Sequence, residues 1–278
     1  MKKYVLVLCI FVCIVSCKQE KQVIHKKNVP TRIKPKAFGY HFVKTKVWQA
    51  ATDDSEIAIV LAVNRTDKDN ISKMDSIVVP KDLSGDIAYY LPFPFAVSSL
   101  ENVSKIIFFS YATQTFATYE YGTLIRTGPT NMGRRADKTP TGLFFTNWKA
   151  EQTTSTFNDE WDLKWNFNVA NKLGVGWHQY ELPGYPASHS CLRLQEKDAK
   201  YLYDWADEWV LVNDQKIKFS GTPVIIFGSY DYDAPKPWYQ LVSNPKALDL
   251  SEASIEKEMR PFLPKILAEQ EKRANYKQ

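Results

Sequence analysis

Cysteine is scarce in this chain, and three of its four cysteines, Cys9, Cys13 and Cys17, fall within the first 17 residues. Beyond them Cys191 stands alone, so neither a disulfide framework nor a CxxC metal or redox pair can form there. HExxH is also missing, and no metal or organic cofactor is implied. Glycine is sparse, 11 residues in 278, with no glycine-rich phosphate loop and no internal repeat. Basic residues do not cluster, and a net charge of +5 gives no electrostatic footprint for nucleic acid. Disorder is excluded as well, because 44% hydrophobic and 14% aromatic residues are ample for a packed core.

The first segment combines Met1-Lys2-Lys3, the apolar run from Tyr4 to Val15, and Ser16-Cys17. It has the charged, apolar and small-residue regions of a secretory signal and is short for a bilayer span. With a small residue before Cys17 and the polar Lys18-Gln19-Glu20-Lys21 directly after it, residues 1–17 resemble a bacterial lipoprotein signal. That resemblance implies lipidation of Cys17, membrane attachment through the lipid and a cell-envelope location. The alternative is an ordinary signal peptide cut nearby. Lys2 and Lys3 would leave with the signal, lowering the charge from +5 to +3.

Residues 18–37, rich in lysine and poor in apolar residues, read as a solvated tether. Residues 38–101 form a small N-terminal α+β region. Asp53 and Glu56 predict a helix start ahead of Ile57, Val60 and Leu61, and Ile77-Val78-Val79-Pro80 predicts a strand. This pattern is faintly similar to half of a LysM peptidoglycan-binding module; a helix and strand supporting the main domain is the preferred reading. After Asn102 the chain turns to β structure, with strands expected at Ile106 to Phe109, Phe116 to Tyr119, Thr123 to Arg126, Leu143 to Phe145 and Pro223 to Phe227. Consecutive hairpin-like pairs favour an antiparallel sheet. From Glu196 onward, Ala199, Leu202, Tyr203 and Ala206 fall at helical spacing. Residues 231–278, punctuated by prolines, read as a linker and a helical tail on the surface.

Two of the four histidines, His178 and His189, lie within thirteen residues of Cys191. A free thiol has a pKa of about 8.5, so it needs a base to act as a nucleophile at neutral pH. His178 can approach from a preceding strand and is assigned as proton acceptor and later donor. His189, two residues from Cys191, shapes the pocket. Backbone N–H groups around Ser190 and Cys191 are the candidate oxyanion donors. A zinc site of His178, His189 and Cys191 is the weaker alternative, since no metal-binding spacing accompanies them. Trp161, Trp165 and Trp177 read as core aromatics rather than cleft walls, and Asp159, Glu160 and Asp162 as a solvated acidic turn. His25 and His41 receive no role.

Ser188, His189, Cys191, Leu192 and Arg193, with His178 upstream, resemble the signature of the L,D-transpeptidases, the YkuD-type domain. Gly122, Thr139-Pro140-Thr141-Gly142 and an acidic helix start after Arg193 follow in that family's order. The resemblance implies a catalytic domain over 102–230, mainly β as a sandwich or mixed sheets, with a helix after Cys191. It further implies attack by Cys191 on the third residue of a peptidoglycan tetrapeptide stem, with Ser188, Ser190 and Arg193 at the substrate and oxyanion positions. The acyl group would pass to a second stem, to a protein amine or to water. A non-catalytic peptidoglycan-binding lipoprotein is the remaining alternative. Ser190 departs from the family's glycine, a residue suited to a positive φ or a close approach. The short gap from His178 to His189 implies a clipped loop beside the pocket.

Overall fold

The computed structural model describes residues 29–48, 53–155, 162–213 and 216–276. Cys17 and His25 lie outside these residues, as do Asp159, Glu160 and Trp161. Among the described residues no helix is long and apolar enough to cross a membrane.

The N-terminal region folds as β1 (Tyr40–Lys44), α1 (Asp54–Val63), α2 (Lys68–Ile71) and β2 (Ser76–Pro80). Asp53 caps α1 by accepting from Ser55 N at 2.6 Å, and Asp67 caps α2 by accepting from Asn70 N at 2.8 Å. β1 and β2 pair antiparallel, from Tyr40 opposite Pro80 to Lys44 opposite Ser76. After α1 the chain reverses at Arg65, with φ at 56°. Asn64 stabilises that reversal: its side-chain amide donates to Val60 O and Val78 O and accepts from Val78 N, each at 2.8 Å.

The main domain is built on a five-stranded mixed sheet in the order β5-β4-β3-β13-β6. β3 (Ile106–Ser110), β4 (Thr115–Glu120) and β5 (Thr123–Pro129) form the antiparallel run expected from their hairpin spacing. β6 (Gly142–Phe145) lies at the far edge. The second sheet, ordered β10-β9-β8-β7, comprises β7 (Lys149–Thr154), β8 (Asp162–Ala170), β9 (Val175–Gln179) and β10 (Leu192–Leu194). α3 (Glu196–Trp205) follows, then the hairpin of β11 (Val210–Asn213) and β12 (Lys216–Phe219). β13 (Pro223–Phe227) enters the first sheet parallel to β3 and antiparallel to β6.

The two sheets enclose a core in which Ile107, Phe109 and Ile226 meet Phe167, Trp177, Leu192 and Leu202 of α3. The alternate residues Ile106, Phe108 and Ile225 face the other way and are equally buried, because α4 (Glu252–Met259) and α5 (Leu263–Tyr276) cover them. A strand buried on both faces has no polar alternation, which explains the unbroken run Ile106 to Phe109. The surface-tail expectation for residues 231–278 is therefore corrected. Ile255, Met259 and Ile266 are buried against the main sheet, and Trp238 and Leu241 fill the core of the N-terminal region with Ile59, Val63 and Val78. Trp177 is core as expected, and Trp165 packs at the core's edge against Tyr203. Asp162 is exposed at the start of β8.

Candidate active site

β9 and β10 run parallel with His178 directly opposite Arg193, and Cys191 is the last residue before β10. The histidine thus comes from a neighbouring parallel strand, with the segment 180–190 looping between. Several buried partners hold that loop. Leu182 N donates to Asp67 Oδ2 at 2.5 Å, Thr66 Oγ1 donates to Leu182 O at 2.9 Å, and Gly184 N donates to Asn131 Oδ1 at 3.1 Å. Farther along, Ser188 N donates to Met132 O at 3.1 Å and Ser188 O accepts from Arg134 N at 2.9 Å. The Ser188 hydroxyl is buried and donates to Cys191 O at 2.5 Å, closing a tight turn around the thiol.

Ser190 has φ at 80°, so the position where the family has glycine is left-handed here. Thr139 Oγ1 donates to Ser190 O at 2.9 Å and accepts from Gly133 N at 2.8 Å. In a trans peptide the C=O and the following N–H point in opposite directions. Holding Ser190 O on Thr139 therefore directs the Cys191 N–H away from Thr139.

His178, Ser188, His189, Cys191 and Arg193 all line one cavity of about 270 Å³. Ser190 does not line it. His178 Nδ1 lies 3.0 Å from Gln179 O. A carbonyl can only accept, so Nδ1 carries the proton and Nε2 is left as the basic nitrogen. Burial, with a smaller push from the Arg193 charge, lowers the His178 pKa to about 4. Burial pushes the Cys191 thiol up, outweighing the opposing effects of the Gly176 backbone and Arg193. At neutral pH the resting pair is thus a thiol and a neutral imidazole, and the proton moves when the sulfur attacks. Cys191 Sγ lies 3.9 Å from Gly174 O, and the Arg193 guanidinium stacks 4.4 Å from the Tyr180 ring centroid.

Other walls of the cavity come from Trp148, Asn166, Asn168, Lys172 and Tyr180, none of which the signature singled out. The buried Asn166 and Asn168, alternating with Phe167 on β8, were the available signal: polar side chains in a buried strand face either a partner or a site. His41 lies exposed on β1. Among the described residues no three His, Cys, Asp or Glu side chains converge as a metal-ligating group.

Residues 104–226 match the family described as YkuD, the L,D-transpeptidase catalytic domain. This segment is similar to that domain. It contains every residue of the thiol cavity named above and less than half of the chain. Solved structures similar to the chain include an L,D-transpeptidase from Stackebrandtia nassauensis, at 24% identity and a TM-score of 0.37, covering 46% of this chain and 57% of that one. An L,D-transpeptidase from Mycobacterium smegmatis is 20% identical with a TM-score of 0.36, over 45% and 59% of the two chains. One from Mycobacterium tuberculosis is 18% identical with a TM-score of 0.36, over 45% and 58%. The chain spans less than two thirds of the length of these proteins. No curated protein matches it in sequence. Outside the matched segment lie α1, α2, α4, α5 and the β1–β2 sheet.

Proposed function

We propose that the chain is an L,D-transpeptidase acting on peptidoglycan tetrapeptide stems through an acyl-enzyme on Cys191. The observation that carries this reading is the meeting of Cys191 with a neutral His178 in one cavity of the YkuD domain. His178 Nε2 takes the thiol proton as the sulfur attacks the carbonyl of the third stem residue. The developing oxyanion is met by the Cys191 N–H. As the intermediate collapses, the C–N bond breaks, the imidazolium returns the proton to the departing amine of the terminal residue, and a thioester remains. An incoming amine then attacks the thioester, gives up a proton to His178, and leaves a new amide and the free thiol. A diamino acid of a second stem gives a cross-link between third-position residues; water in its place gives a tripeptide.

Lipidation at Cys17 and an envelope location complete the proposal, supported by the signal-like residues 1–17. Metabolic labelling with a fatty-acid analogue should mark the wild type and spare Cys17→Ala. The enzymatic reading is tested by incubating the protein with a disaccharide-tetrapeptide and weighing the products. Dimer or tripeptide is expected from the wild type and neither from Cys191→Ala. Equal product from the alanine variant, or none from a folded wild type, would defeat the proposal.

A further inference from the structure

Beside the thiol cavity lies a second, larger cleft of about 680 Å³. Its walls come from three separate parts of the chain. Lys73 and Asp75 belong to the N-terminal region, Glu181 and Tyr185 to the loop before Cys191, and Lys236 to the segment after β13. Arg193 lines both cavities, so the two spaces meet at one guanidinium. Lys73 and Lys236 lie outside the YkuD segment, and the cleft exists only where the flanking regions close over it.

Among the described residues, neither Lys236 nor Arg193 enters a salt bridge. The Lys236 ammonium sits between two aromatic rings, 6.0 Å from Tyr185 and 5.9 Å from Trp238, and burial lowers its pKa. Its position is held by the 3₁₀ turn Pro237–Val242, whose Trp238 is buried in the core. A half-buried ammonium without a carboxylate is costly unless an anion arrives from outside. Three cations, Lys73, Arg193 and Lys236, stand against two acids, Asp75 and Glu181. That balance favours a ligand carrying carboxylates, with room for an ammonium beside Glu181.

We propose that this second cleft binds the carboxylate-bearing peptide of the amine acceptor, with Lys236 as the residue that meets its carboxylate. The inference rests on the acyl-transfer reading for the word acceptor, and on the cleft alone for the binding. A peptide anchored at Lys236 reaches the thiol cavity past Arg193, which lines both spaces. Specificity for an anionic amine over water would then be contributed by residues that flank the YkuD domain.

The test is direct binding without chemistry. A disaccharide-tripeptide ending in a diamino acid with a free side-chain amine is titrated by calorimetry into the full-length Cys191→Ala protein. Adding Lys236→Glu should weaken binding about tenfold, the scale of one charge-assisted contact. Lys236→Arg should restore it to within about threefold, and Lys246→Glu, an exposed charge change away from the cleft, should leave it within about twofold. Melting curves confirm that each variant is folded. Binding indifferent to Lys236→Glu, equal weakening by Lys246→Glu, or no binding by the parent would each overturn the proposal. If the tripeptide binds through Lys236 while the wild type makes no product from tetrapeptide, the acyl-transfer reading falls and the cleft stands as a peptide site. Product formation with binding that ignores Lys236 removes the cleft alone.

Discussion

Ser190 shows at the scale of one residue how a chain can depart from the signature it resembles and still hold a left-handed backbone. A non-glycine residue in the left-handed region costs roughly 1–2 kcal/mol, and here the Thr139 hydrogen bond to Ser190 O offsets part of that cost. Ser190→Gly removes the strain but frees the unfolded chain, which returns about 0.5–1 kcal/mol. The expected net gain is about 0.5 kcal/mol in urea unfolding; a clear loss of stability would show that the serine side chain itself contributes. His178 makes a second prediction at this scale. Its folded pKa of about 4 lies below the ordinary 6.5, so between these values the unfolded chain binds the proton first. Stability from this group is complete above about pH 6.5 and is lost as pH falls toward 4, by roughly 3 kcal/mol in all. The buried Asp198, whose pKa is raised, works in the opposite sense, so the difference between wild type and His178→Gln isolates the histidine. Urea unfolding at pH 7, 6, 5 and 4 should give a steeper fall for the wild type than for the variant; parallel curves would contradict a buried neutral imidazole.

At the scale of elements, the sequence made some parts plain and concealed others for a physical reason. The hairpin run β3 to β5 was legible because its pairings are local and its turn at Gly122 is marked by a residue suited to a φ of 76°. α3 was legible from the spacing of Ala199 and Leu202, and the site from the density of reactive side chains around Cys191. What could not be read was pairing between distant segments. β13 enters beside β3 across more than a hundred residues, and β10 lies parallel to β9 with a loop between, which no local pattern announces. Thr139 belonged to a recognised motif, yet its bond to Ser190 O spans 51 positions and needed the fold to appear. The turn after α1 was hidden in the same way. Thr66 and Asp67 grip Leu182, while Arg65, fully buried, donates to the carbonyls of Ala62, Val63 and Thr113. A basic residue in a short polar stretch reads as solvated, but this one joins the N-terminal region to the turn between β3 and β4 at Thr113.

For the whole molecule, these contacts mean that the YkuD segment is not a self-sufficient unit in this chain. One face of its main sheet is covered by α4 and α5, which place Ile255, Met259 and Ile266 at 0%, 1% and 1% exposure. Burial of such side chains contributes about 1.5–3 kcal/mol each, so the three together supply roughly 6 kcal/mol. That is comparable with the entire net stability of a typical domain, about 5–15 kcal/mol. Removing residues 251–278 would also bare Phe108 and Ile106, turning a two-sided core strand into an exposed apolar sheet face. The truncated protein is expected to be insoluble, or to lose its cooperative melting transition, even though every residue of the thiol cavity is still present. Circular dichroism melts and size-exclusion chromatography distinguish the outcomes. The milder Ile255→Ala should cost about 3 kcal/mol in the full-length protein and leave it folded. A truncated chain that melted cooperatively near the wild-type temperature would show that the helices are dispensable cover, and that the segment 104–226 needs less support than its buried contacts indicate.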